Sequence, residues 1–70
     1  MDGNIKKVVT DRGFGFITGK DGADYFFHRD DLRDLDFARL KTGDGVSFQA
    51  QPGPKGLRAV EVHSAEVHST

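Results

Sequence analysis

"RGFGFITGKDGADYFFHRDD", residues 12–31, decides how this chain is read. The whole sequence has six phenylalanines and one tyrosine, and this stretch holds Phe14, Phe16, Tyr25, Phe26 and Phe27. Residues two apart in a strand share a face. A strand over Phe14–Thr18 therefore points Phe14 and Phe16 one way and Gly15 and Ile17 the other. "GKDGAD", with two glycines around Lys20 and Asp21, reads as a hairpin connection. A further strand over Asp24–His28 puts Tyr25 and Phe27 on one face and Phe26 and His28 on the other. Both faces of that strand are aromatic, so one set fills a core and the other lies at the surface. The simplest joint solution places Phe14, Phe16, Phe26 and His28 on one outer face of two paired strands. The reverse leaves Ile17 in solvent and crowds large rings into a very small interior. Exposed rings on a sheet form a stacking surface for bases, at about 1–3 kcal/mol per stacked base.

The flanking sequence continues the β pattern. "NIKKVVT" reads as a first strand, Asn4–Thr10, with Ile5 and Val8 as core candidates. Their odd spacing requires a bulge at the lysines. "DRG" is a turn in which Gly13 is free to take positive φ. "GVSFQA" alternates and gives a fourth strand with Val46 and Phe48. "QPGPKG" reads as a loop, because its prolines cannot donate to a ladder. "LRAVEVHSAEV" gives a fifth strand, with Leu57, Ala59 or Val60, and Val62 facing inward. Between the third and fourth strands, "RDDLRDLDFARLKTGD" has few β-branched residues. It fits either a short helix with Leu32 and Leu35 on one face, capped by Asp30 or Asp31, or a 3₁₀ turn followed by an ordered loop. Five short strands in 70 residues predict an all-β, five-stranded antiparallel barrel. An SH3-like barrel and an open meander share the pattern.

Length and composition set outer bounds. Seventy residues make one domain, with its core over about 3–64 and a tail from 65 expected to fray. There is no cysteine, so neither a disulfide nor a thiolate metal site is available. No apolar run approaches the length of a membrane span, and "MDGNIKKV" lacks the apolar stretch of a signal peptide, so a cytoplasmic protein is expected. Net charge is -1, from 10 basic and 11 acidic residues, which argues against a strongly basic nucleic-acid binder but allows one basic face. Lys6, Lys7, Arg12, Lys20 and Arg29 lie in or beside the first three strands, and Lys55 and Arg58 flank the Gly/Pro loop. Each alone reads as an ordinary solvated charge. Their placement around exposed rings is what points to phosphate.

Enzymatic function is not expected. His28, His63 and His68 are the only imidazoles, and solvated surface histidines explain the last two better than a metal site. Asp30, Asp31, Asp34 and Asp36 lack the spacing and glycine of a calcium loop. No metal and no cofactor is expected. An aromatic protein-interaction surface is the alternative to nucleic-acid binding, and salt separates the two.

"RGFGFI" (Arg12–Ile17) and "YFFH" (Tyr25–His28) resemble the two nucleic-acid-binding motifs of the cold-shock domain family. The likeness runs from about Gly3 to Ser64 and includes "GNIKK", "LKTGDGVSF" and the Gly/Pro loop before "LRAVEV". It implies a five-stranded OB-fold barrel that binds single-stranded RNA and DNA, with an RNA-chaperone-like or regulatory role. A monomer is expected, and no sequence feature demands the dimer that a strand edge or swapped segment would allow. By the same resemblance, Phe14, Phe16, Phe26 and His28 match surface stacking residues. Lys6 matches a basic contact, and Arg12 takes the place of a lysine. Phe37 falls near an aromatic of the long loop that joins the binding surface. Tyr25, Phe27, Ile17, Val46 and Val62 match core positions. The family pattern carries a tryptophan where this chain has Lys7, and Phe-Ser where it has Arg29-Asp30. The implied platform is smaller and more dependent on charge, with Lys7, Arg29, Lys55 and Arg58 completing it.

Overall fold

The computed structural model describes residues 1–33, 35–54 and 56–65. Five strands follow in order: β1 Asp2–Val9, β2 Phe14–Gly19, β3 Asp24–His28, β4 Gly45–Gly53 and β5 Gly56–Ser64. Together they form an all-β, five-stranded sheet of OB-like topology, ordered β1-β2-β3-β5-β4, with β1 also paired to β4. Alternation works as the sequence suggests. Along β2 and β3, buried residues alternate with half-buried or exposed ones without a break. The core is Ile5, Ile17, Tyr25, Phe27, Val46, Phe48, Ala59 and Val62.

The bulge expected at the lysines is present. Ile5 pairs with Ile17, and Lys7 with Phe16, so Lys6 is the extra residue. Its insertion changes the phase of β1. Ile5 stays buried before it, and Lys7 comes onto the outer face after it.

Several expectations are corrected. The sheet is not antiparallel throughout, since β3 and β5 run parallel, paired at Phe26 and Arg58. Strand directions require this. β1 is antiparallel to β2 and to β4, β3 to β2, and β5 to β4, so β3 and β5 point the same way. The Gly/Pro segment is likewise not an open loop. Pairing continues through Pro52–Leu57 and Gly53–Gly56. β1 pairs β4 along Gly45–Ser47 and Met1 bonds Phe48, so the outer edge of β4 is free only further on. A proline on a free edge forfeits no ladder bond. Gly56 takes a φ of 133°, open to glycine, as the chain turns back. This arm projects past the core, which is why Leu57 is 41% exposed rather than inward. The frayed tail expected from residue 65 lies, beyond Ala65, outside the described residues.

The segment after β3 contains two 3₁₀ turns, Arg29–Asp31 and Phe37–Arg39. His28, not an aspartate, caps the first. Its Nδ1 accepts the Asp30 N–H at 3.2 Å, while Asp31 Oδ2 accepts the His28 N–H at 2.9 Å. Asp36 caps the second by accepting the Ala38 N–H at 3.1 Å.

The β2–β3 hairpin is held from inside. Buried Tyr25 donates its hydroxyl to Asp21 Oδ2 at 2.7 Å, and Asp21 Oδ1 accepts the Ala23 N–H at 3.1 Å. These bonds, Tyr25 first, hold the Asp21 carboxyl below its ordinary value. A depressed carboxylate stabilises the fold above its unfolded pKa, and that contribution is lost as pH falls through the folded value. Asp21→Asn should therefore lower the melting midpoint near neutral pH and converge on the parent chain once the pH falls below the depressed pKa of the folded state. Thermal unfolding across that range checks it. A gap that stays constant with pH would mean the ionised carboxylate is not responsible.

Candidate nucleic-acid interface

The strand register assembles the outer face in rows. Lys7 pairs with Phe16, Phe16 with Phe26, and Phe26 with Arg58, so one row crosses four strands with a cation at each end. The neighbouring row is Val9, Phe14 and His28. The rings touch within and between rows. Phe14 and Phe26 are 5.4 Å apart at 40°, Phe16 and Phe26 5.9 Å at 66°, and Phe14 and Phe16 6.0 Å at 85°. They are half-buried because each covers the others. The cluster offers both faces and edges to solvent rather than flat plates. Its tilted and edge contacts also add to the ladder.

Gly15 works on the other side of the sheet. A Cβ there would lie 2.6 Å from the Lys7 carbonyl oxygen and 2.7 Å from the Phe27 ring. Glycine lets Phe27 fill the space behind the ring cluster, so its contribution is made in the core rather than by flattening the exposed surface.

The cations are deployed unequally. Lys7 is exposed at the β1 end of the ring row. Lys6, on the bulge, donates to Asp24 Oδ2 at 2.7 Å, and that bond leads in holding the Asp24 carboxyl below its ordinary value. Both partners are exposed, so the pair is weak and readily exchanged. Arg12 is exposed in the turn before β2. The Arg29 N–H donates to the Gly13 carbonyl at 2.9 Å, and its side chain runs along Gly13. Arg12 and Arg29 thus flank the same turn at the Phe14–His28 end of the face.

Three further assignments have different outcomes. The Phe37 ring rests on Phe27, 6.4 Å away at 70°, and so covers the core rather than joining the outer cluster. Lys55 lies outside the described residues. Arg58 is on the face but is already engaged. Its Nε and Nη2 donate to the Asp31 carboxylate at 3.2–3.4 Å. Sequence reasoning gave Asp31 no such role, because nothing local links residues 27 positions apart. It also missed a groove beside the rings, lined by Phe16, Phe26, Gly53, Pro54, Gly56, Leu57 and Arg58. Among the described residues, no three His, Asp or Glu side chains stand together as a metal site. Among them, too, no helix is long and apolar enough to cross a membrane.

Comparison with known proteins agrees with this arrangement. Residues 1–65 match the family described as the 'Cold-shock' DNA-binding domain. The chain is 43% identical over 60 residues to cold shock protein CapB of Pseudomonas fragi, covering 86% of this chain and 87% of that one. It is 43% identical over 63 residues to cold shock-like protein CspI of Escherichia coli K12, covering 89% and 90%. It is 38% identical over 61 residues to cold shock protein 2 of Lactiplantibacillus plantarum, covering 87% and 92%. Among solved structures, drosophila Unr CSD456 superposes with a TM-score of 0.67 at 26% identity, covering 99% of this chain and 28% of that one. With a matched profile across nearly its whole length and relatives of its own size, this chain belongs to the cold-shock domain family.

Proposed function

We propose that this chain binds single-stranded RNA or DNA on the β1–β2–β3 face, as an RNA chaperone or regulator. Proteins of this family are not enzymes, and the proposed work is holding bases apart from one another rather than chemistry. The observation that carries the reading is the cluster of Phe14, Phe16 and Phe26 beside His28, flanked by Lys7, Arg12 and Arg29. Bases stack on the rings, and the cations meet the phosphates between them. Lys6 joins by giving up Asp24. The family's description and the cold-shock names of the relatives support the same reading. The sheet is read as a barrel closed at the β3–β5 seam, acting as one domain over about residues 3–64, monomeric and cytoplasmic.

Lys7 in place of an aromatic shifts the balance from stacking to charge. Affinity for a labelled pyrimidine heptamer should fall steeply with salt, with a log–log slope of about -2 to -3 for three or four phosphate contacts. Fluorescence anisotropy at several salt concentrations measures it. Saturable binding with a slope near zero would mean stacking without phosphate contacts, and no binding even at low salt would favour an apolar interface with a protein.

A further inference from the structure

We infer that Arg58 is a base-reading residue, held by Asp31 at the end of the Phe16–Phe26 row, where it selects a guanine seated in the groove against the β4–β5 arm. The inference rests on the single-strand binding proposed above and names a specificity within it.

The position comes first. Arg58 is the strand partner of Phe26, so a base stacked on Phe26 turns an edge toward its guanidinium. The groove between them is walled by Gly53, Pro54 and Leu57, which suits a flat base better than a phosphate.

Charge points the same way. Arg58 is paired with the Asp31 carboxylate, whose side chain is only 11% exposed. That carboxylate cancels the arginine's charge locally. A neutralised cation is a poor phosphate clamp, and Lys7, Arg12 and Arg29 on the same face have no acidic side-chain partner among the described residues to cancel them. What Arg58 keeps is direction. Asp31 also accepts the His28 N–H, so its oxygens are tied to the end of β3 and cannot drift.

The remaining donors define the ligand. The guanidinium is planar and carries five N–H groups. Asp31 engages it from the side, through Nε and Nη2. The end-on pair, on Nη1 and the far side of Nη2, is turned away from Asp31. Such a fork matches two adjacent acceptors, and guanine offers O6 and N7. Adenine sets a donor beside N7, and thymine's two acceptors are separated by its N3–H; cytosine's O2 and N3 are the other adjacent pair, which a cytosine scan tests.

The test uses the intact chain and thymidine heptamers carrying one guanine at each position in turn, compared with 7-deazaguanine, which lacks the N7 acceptor. At one position the guanine heptamer should bind at least about 5-fold tighter than its 7-deaza counterpart, the lower bound for a bidentate pair. Arg58→Lys, which keeps the charge and loses the fork, should erase that ratio. A ratio near one at every position in the parent chain overturns the inference without any variant. So does a ratio that survives in Arg58→Lys, or the same preference produced by a cytosine scan. Arg58→Gln weakening every heptamer equally, with the salt slope reduced by about 0.7, would make Arg58 a phosphate contact instead. Failure of plain thymidine heptamer to bind is a separate outcome, and it removes the parent proposal along with this one.

Discussion

Phe27→Ala should cost the chain a large share of its folding stability. A domain of 70 residues holds about 4–10 kcal/mol in total, at about 0.05–0.15 kcal/mol per residue. Removing a fully buried phenylalanine costs about 3–5 kcal/mol, from lost transfer energy and the cavity left behind. Phe27 has no accessible surface, and its ring reaches both the backbone of β2 at Gly15 and the ring of Phe37. The cavity would not collapse easily. Gly15 has no side chain to move into it, and Phe37 approaches from the flanking 3₁₀ turn. Urea unfolding followed by circular dichroism measures the loss. A cost below about 1 kcal/mol would mean the interior repacks and is not the close-fitted core described. Phe26→Ala makes the comparison within the same strand. The neighbouring ring lies on the outer face, so its removal should cost far less stability.

That contrast was legible in the sequence, because side chains in a strand alternate without exception while the ladder is regular. Gly15, Ile17, Tyr25 and Phe27 had to share one face if Phe14, Phe16, Phe26 and His28 shared the other. The bulge was legible for a related reason: Ile5 and Val8 are an odd number of residues apart, and only an extra residue reconciles them. The β3–β5 seam was not legible. Its parallel sense follows from the directions of all the other pairs, and no local pattern encodes it. Pro52 suggested a loop because proline is excluded from paired edges, yet the edge it occupies is free. Leu57 read as core, but an apolar residue in a strand does not say how far the core extends. The partnership of Asp31 and Arg58 was hidden for the plainest reason. Two charged residues far apart in sequence say nothing of each other until the sheet brings β5 beside β3.

Phe16→Ala should weaken binding to every single strand by about 1–3 kcal/mol, or about 5- to 150-fold. Phe16 is the better choice for this test than Phe14, because it contacts both other outer rings and sits between Lys7 and Phe26 in the longest row. Its cross-strand contacts contribute about 0.2–1 kcal/mol each to the fold, so the variant should remain folded. The two roles separate in the salt dependence. No charge is removed, so the log–log slope should match the parent chain even as affinity falls. Lys7→Ala should do the converse: a smaller loss at moderate salt, with the slope reduced by about 0.7. Anisotropy titrations of both variants at several salt concentrations give all four quantities. A Phe16→Ala loss under about 0.3 kcal/mol would sink the stacking surface, since that is far below the value of one base on one ring. A loss accompanied by a changed slope would show that Phe16 acts by placing Lys7 rather than by stacking. Equal loss across sequences with an unchanged slope is the signature that only a ring taking up a base produces, because every base has a π-face and none of them carries the charge.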